Sequence, residues 1–204
     1  MSEDASSSFD SRAKSWDDPM KIERAAAVAA GIRRAVPLSR TMRALEYGAG
    51  TGLLSFSLRD ALGPITLADS SAGMRDVAAE KIAHSEAAQM DVVDLDLMRD
   101  PVPAQRYEVI YSLMTLHHVP DVARVLAAFN ELLAAGGTLC IADLDAEDGS
   151  FHGEGVDVHH GFERGALRGA LATAGFSDIR IDDCYEVNKG GRAYSVFLAC
   201  ARKQ

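Results

Sequence analysis

A chain of 204 residues with 48% hydrophobic content can bury a full core, and its size suits a single α/β domain spanning residues 1–204. The net charge is −9 and the 21 Lys and Arg residues form no run, which disfavours a nucleic-acid partner. No stretch of about 18 apolar residues suggests a membrane span, and Cys140, Cys184 and Cys200 are spaced for neither a disulfide framework nor a zinc site, as expected of reduced thiols in a cytoplasmic protein.

Residues 1–9 are Ser-rich and acidic with no apolar centre, unlike a signal peptide, and residues 1–17 read as an arm that is mobile when no ligand is present. Asp18-Pro19 is a helix start, and an Ala-rich helix is predicted to residue 36, ahead of Pro37. A strand over residues 42–47 runs into Glu46-Tyr47-Gly48-Ala49-Gly50-Thr51-Gly52, and a helix over residues 52–62 stops at Gly63. Three glycines in seven residues let the backbone turn tightly and approach a ligand, while the next helix offers unpaired N–H groups. Leu53 stands where a dinucleotide-binding loop needs a third small residue, and Glu46 would repel a pyrophosphate, so a ligand with a cationic end fits better.

A second strand, residues 65–69, ends in Asp69 and leads to a helix over residues 71–84 that contains Met74. A carboxylate is acceptor-only and can take both O–H groups of a vicinal diol. A third strand, residues 87–95, ends among Asp94, Asp96 and Leu97, where a carboxylate and a backbone N–H can read the edge of a base. Asp96 with Leu97 is the first choice, and Asp94 the alternative, because acids two residues apart share one strand face. Strand four, residues 107–113, carries Ser112 and Leu113 to the same rim and precedes His117 and His118. Asp121 caps a helix expected to end at Gly136-Gly137, followed by a strand over residues 138–143. An acidic loop with Asp145, Glu147, Asp148, Glu154, His152, His159 and His160 then leads to a helix over residues 162–174. Strands over residues 177–185 and 194–201, joined by a turn at residues 188–191, complete the chain. The pattern predicts an α/β fold: a doubly wound, mostly parallel sheet with helices on both faces and a terminal antiparallel hairpin strand.

The loop Glu46, Gly48, Gly50, Gly52, the segment Asp69-Ser70-Ser71-Ala72-Gly73-Met74, and the strand ends at residues 92–97 and 107–113 together resemble class I S-adenosylmethionine-dependent methyltransferases of the small-molecule type. The resemblance covers residues 40–145 and thins in the flanks. It implies a seven-stranded Rossmann-like sheet, S-adenosylmethionine as cofactor and S-adenosylhomocysteine as product. It also implies that residues 46–52, with Ala49 and Thr51, hold the methionine half, and that Asp69 and Ser70 lie at the ribose. Met74 then packs on adenine, Asp96 and Leu97 read its edge, and Ser112 and Leu113 lie near the sulfonium. Phe9-Asp10 and residues 13–17 resemble a lid segment whose aromatic residue, here Trp16, covers the cofactor. Blander roles stay open: Asp69 as a helix cap, Met74 as core, Trp16 as an anchor for the arm.

Methyl transfer is an in-line displacement that mainly needs donor and acceptor held in line. A hydroxyl or protonated amine acceptor also needs a base, and His117 and His160 are the first candidates. Histidine spacing fixes no pair on one helix face, so no metal site is expected. The acceptor is expected to be a small molecule, and the oligomeric state is open. An NAD-dependent oxidoreductase or a non-catalytic S-adenosylmethionine-binding protein is the competing reading.

Overall fold

The structure is a computed structural model that describes residues 9–153 and 156–204, so the start of the expected arm and Glu154 lie outside the described residues. In chain order the elements are α1 (Pro19–Ala35), β1 (Ala44–Tyr47), α2 (Leu53–Leu58), β2 (Ile65–Asp69), α3 (Ala72–Ala83), β3 (Met90–Asp94) and β4 (Tyr107–Leu113). They continue with α4 (Val122–Leu132), β5 (Leu133–Leu144), α5 (Arg164–Thr173), β6 (Phe176–Lys189) and β7 (Arg192–Lys203). The strands form one seven-stranded sheet in the order β3-β2-β1-β4-β5-β7-β6. β1 to β5 are parallel, and β7 runs antiparallel to both of its neighbours, β5 and β6. This is the doubly wound, mostly parallel Rossmann-like sheet that the alternation predicts.

Side-chain alternation along the strands divides the core in two. Ala44, Val109, Tyr111 and Cys140 point to one face, where Ala25, Val28 and Ile32 of α1 and Leu54 and Leu58 of α2 cover them. Leu45, Tyr47, Ile110, Leu139 and Ile141 point to the other, under Val125, Leu126 and Phe129 of α4 and Leu167 and Leu171 of α5. Burial of the Val, Leu, Ile and Phe side chains among these contributes roughly 1.5–3 kcal/mol each, so both helical layers are held by the sheet.

Local signals set the helix starts. The side chains of Asp18, Ser71 and Asp121 accept from the N–H groups of Lys21, Met74 and Arg124, capping α1, α3 and α4. Ends fall elsewhere than expected. α4 stops at Leu132 rather than at the glycine pair, because Leu133 is already extended and buried, paired with Tyr107 in the sheet. Gly136-Gly137 then lie inside β5, where the register with β4 shifts. α2 ends at Leu58, short of the predicted residue 62. The last hairpin turns on Gly190 and Gly191 alone, with φ of 61° and 77°, as a type I′ turn requires, so β6 and β7 are longer than predicted.

Cys140 and Cys200 are register partners across β5 and β7, with free thiols 3.4 Å apart, and Cys184 is half-buried. Among the described residues no helix is long and apolar enough to cross a membrane. Strand order reverses between β1 and β4, which brings the loops after these two strands together at the carboxyl end of the sheet.

Candidate active site

The turn after β1 is built from conformations that side chains resist. Gly48 and Gly50 have φ of 68° and 55°. A Cβ on Gly48 would lie 2.2 Å from Thr115 Cγ2, so the loop after β4 closes on the turn only because residue 48 is bare. A Cβ on Gly50 would meet nothing nearer than Trp16 Nε1 at 3.6 Å, so this face of the turn is open.

Two buried carboxyl groups flank the turn. Asp69 Oδ2 accepts from the Gly50 N–H at 2.7 Å and Oδ1 from the Ser71 N–H at 2.8 Å. A carboxylate offers about four acceptor sites, so one on each oxygen remains for a diol. Burial pushes the Asp69 carboxyl upward against the pull of these two bonds. Next to it the Ser70 hydroxyl is buried with no partner among the described residues. Glu46 is more enclosed. Its Oε2 accepts from both the N–H and the hydroxyl of Ser55, and Ser55 Oγ lies 2.8 Å from the Tyr111 hydroxyl. Burial drives Glu46 up to about 8, with the Ser55 bonds working in the opposite direction.

These groups border a cavity of about 90 Å³, lined by Glu46, Gly48, Ala49, Gly50, Thr51, Leu53, Asp69, Met74, Leu113, Met114, Thr115 and His118. Phe9, Trp16, Lys21 and Arg24 close its remaining side. Ligand pockets typically hold roughly 300–1,000 Å³, so this one is small with the N-terminal segment in place. Residues 9–17 of that segment pack against the domain. Asp10 accepts from the Ser71 hydroxyl at 2.5 Å and the Gly73 N–H at 2.9 Å, adding a second cap to α3. Asp17 bonds the Thr51 hydroxyl and pairs with Lys81 at 2.8 Å. The Phe9 ring meets Trp16 and His118 edge-on, and Lys21 Nζ sits 4.6 Å from the Trp16 ring centroid.

Asp96, Leu97, Ser70 and Ser112 do not line this cavity. Asp96 is buried beyond β3, with Oδ1 accepting from the Met98 N–H, whereas Asp94 is 51% exposed and paired with Arg75 and Arg99. The Leu97 N–H donates to the Tyr47 hydroxyl, and the Ser112 hydroxyl donates to the Tyr47 carbonyl, which makes Ser112 a tie between strands.

The histidines arrange differently from the pair chosen by sequence. His117 is buried, and its Nδ1 lies 2.6 Å from Oδ1 of buried Asp143. Burial pushes Asp143 up, but the adjoining His117 and the hydrogen bonds from His117 and the Leu144 N–H outweigh it and hold the carboxyl below its usual range. His118, next in the chain, is the one that lines the cavity, and burial followed by neighbouring imidazoles takes it down to about 3. His160 is exposed and outside the lining. His152 instead reaches the other two, with ring centroids 4.9 Å from His117 and 5.2 Å from His118.

A methyltransferase domain family matches residues 20–181. The chain belongs to that family. An uncharacterised methyltransferase of Anoxybacillus flavithermus is 32% identical over 101 residues, covering 48% of this chain and 45% of that protein. The chain thus spans about half the length of the curated relatives it matches. Among solved structures, a SAM-dependent methyltransferase of Aquifex aeolicus aligns over 93% of this chain and 97% of its own, with a TM-score of 0.69 and 19% identity. The N-methyltransferase NodS of Bradyrhizobium japonicum, solved with S-adenosylhomocysteine, aligns over 92% and 89%, with a TM-score of 0.70 and 17% identity.

Several cavity residues of this methyltransferase domain carry no sequence signal of their own. Arg24 is brought in by α1; its Nε is buried without a partner among the described residues, and burial lowers its basicity. Met114 sits at a φ of 54°, rare for a residue with a side chain, at the mouth where β4 ends. Thr115 earns its place only through the bare α-carbon of Gly48. A helix phase places Arg24 on the buried face of α1, beside Val28, but nothing local says that a pocket lies there.

Proposed function

We propose that this domain transfers the methyl group of S-adenosylmethionine to a small-molecule acceptor. One observation carries the reading. A single small cavity at the glycine turn is lined by an acid, Glu46, which Ser55 bonds at Oε2, and by a guanidinium, Arg24, whose Nε is buried without a partner among the described residues. A buried carboxyl and a guanidinium set apart in one apolar pocket match a ligand that is itself a zwitterion, whose ammonium would favour ionisation of Glu46 and whose carboxylate would face Arg24. A pyrophosphate would oppose that ionisation and gain no partner in Glu46, which counts against a dinucleotide.

In this reading Gly48, Ala49, Gly50, Thr51 and Gly52 pass under the methionine half, and Asp69 takes the ribose hydroxyls with its two remaining acceptor positions. The orphan Ser70 hydroxyl, Met74, Asp96 and Leu97 serve the adenosine end, and the ion pairs of Asp94 favour Asp96 for the adenine edge. Trp16 and Phe9 cover the cofactor as a lid on the single domain. Leu113, Met114, Thr115 and His118 face the methyl group, and the acceptor enters there.

The chemistry is a displacement in which the acceptor's lone pair forms the new bond to carbon while the C–S electrons return to sulfur, leaving a neutral thioether. The protein's share is alignment and exclusion of water. The test is to incubate the full chain with methyl-labelled S-adenosylmethionine and a panel of small phenols, thiols and amines. Labelled product with stoichiometric S-adenosylhomocysteine is expected. Cofactor binding with no turnover on any acceptor class would favour the non-catalytic reading, and failure to bind the cofactor would end the proposal.

A further inference from the structure

The loop after β4 and the loop after β5 bring His117, His118 and His152 together, each offering a ring nitrogen within 4.8 Å of the other two. Three features set this group apart from ordinary aromatic packing. His117 donates Nδ1–H to Asp143, which fixes its tautomer and leaves Nε2 as an acceptor, the arrangement found behind metal-ligating histidines. The Nε2 of His152 is buried and has no partner among the described residues, a cost that a ligated ion would remove. Asp143 is buried against His117, and Glu147, whose Oε1 is buried without a partner among the described residues, adds a second acid that acts on His152, opposite the cation of Lys189.

We propose that His117, His118 and His152 bind one divalent ion of the zinc type, with Asp143 orienting His117 from behind. The expectation of no metal site rested on helical spacing; the fold assembles the three from two loops instead. Tetrahedral Zn–N bonds of about 2.0–2.1 Å set ligand nitrogens roughly 3.4 Å apart, so the group closes inward by a small shift of the loop that carries His152, which Gly149 and Gly153 flank. Three protein ligands leave a fourth position, and His118 puts it on the side of the cavity. An acceptor hydroxyl or thiol that took this position would release its proton to solvent more easily. That last consequence rests on the methyl-transfer reading; ion binding does not.

Metal-free full-length protein titrated with Zn²⁺ by calorimetry, and with Co²⁺ by visible absorption, tests the site without cofactor or acceptor. One equivalent bound, with the intense bands of tetrahedral Co²⁺, is expected. His152→Ala and His118→Ala should each weaken binding by 100-fold or more, and Asp143→Asn by 10–100-fold. His160→Ala, in the same loop but outside the group, should change nothing. Absence of stoichiometric binding, or binding unaffected by His152→Ala in a variant whose circular dichroism is unchanged, overturns the proposal. S-adenosylmethionine binding measured on the same samples reports separately on the methyl-transfer reading.

Discussion

The Gly50 N–H and Asp69 Oδ2, 2.7 Å apart, join the turn after β1 to the end of β2. The carboxylate that would hold a ribose therefore also fixes the loop that would hold the amino-acid half. Asp69→Ala is expected to lose both, weakening S-adenosylmethionine binding by roughly 1–3 kcal/mol, about 5- to 150-fold. Calorimetry on the folded variant checks this; an unchanged dissociation constant would leave Asp69 a helix cap.

Gly48 and Gly50 should separate by substitution. Gly48→Ala drives a methyl into Thr115 and should unfold or strongly destabilise the domain. Gly50→Ala finds free space within the protein and bears only the strain of its positive φ, about 1 kcal/mol. Its methyl nevertheless points into the proposed cofactor's space, so binding should be lost with a modest fall in Tm. A Gly50→Ala variant that binds normally would move the ligand elsewhere.

Glu46 makes stability depend on pH. Its folded value of about 8 lies above the ordinary 4.5, so the folded state keeps a proton that the unfolded chain releases. The stabilisation is complete below pH 4.5 and is lost as pH rises through about 8. Glu46→Gln, which mimics the protonated form, should gain on the wild type across that window by something on the order of 3 kcal/mol. Denaturant midpoints at several pH values measure the difference; parallel profiles would mean that Glu46 is ionised in the folded protein.

Asp10 holds the N-terminal segment closed through Ser71 and Gly73. Asp10→Ala should speed cofactor association and dissociation alike, and Trp16→Ala should spare the fold while raising solvent exchange at residues 9–17 in the bound state. Stopped-flow fluorescence and hydrogen exchange read these effects, and identical rates would reduce the segment to an anchor.

What the sequence disclosed was local. Asp18-Pro19, Ser71 and Asp121 mark helix starts by capping chemistry that needs no tertiary context, and the turn at Gly48 to Gly52 shows its conformation in its composition. Strand ends gather Glu46, Asp69 and Asp96 on one rim because parallel topology leaves no other choice. What stayed hidden depends on packing between distant segments. Arg24 enters from a helix that looks merely Ala-rich, Leu133 joins a strand because Tyr107 offers it a partner, and His152 rather than His160 meets His118 because the loop after β5 folds back on itself. Pair spacing along the chain carries no record of such encounters.

The most direct test of the account is a calorimetric titration of the full chain with S-adenosylmethionine, S-adenosylhomocysteine and NADH. One-to-one binding of the first two, with no heat from the dinucleotide, is predicted. Binding of NADH in their place, or no binding of either sulfur nucleoside, would contradict it.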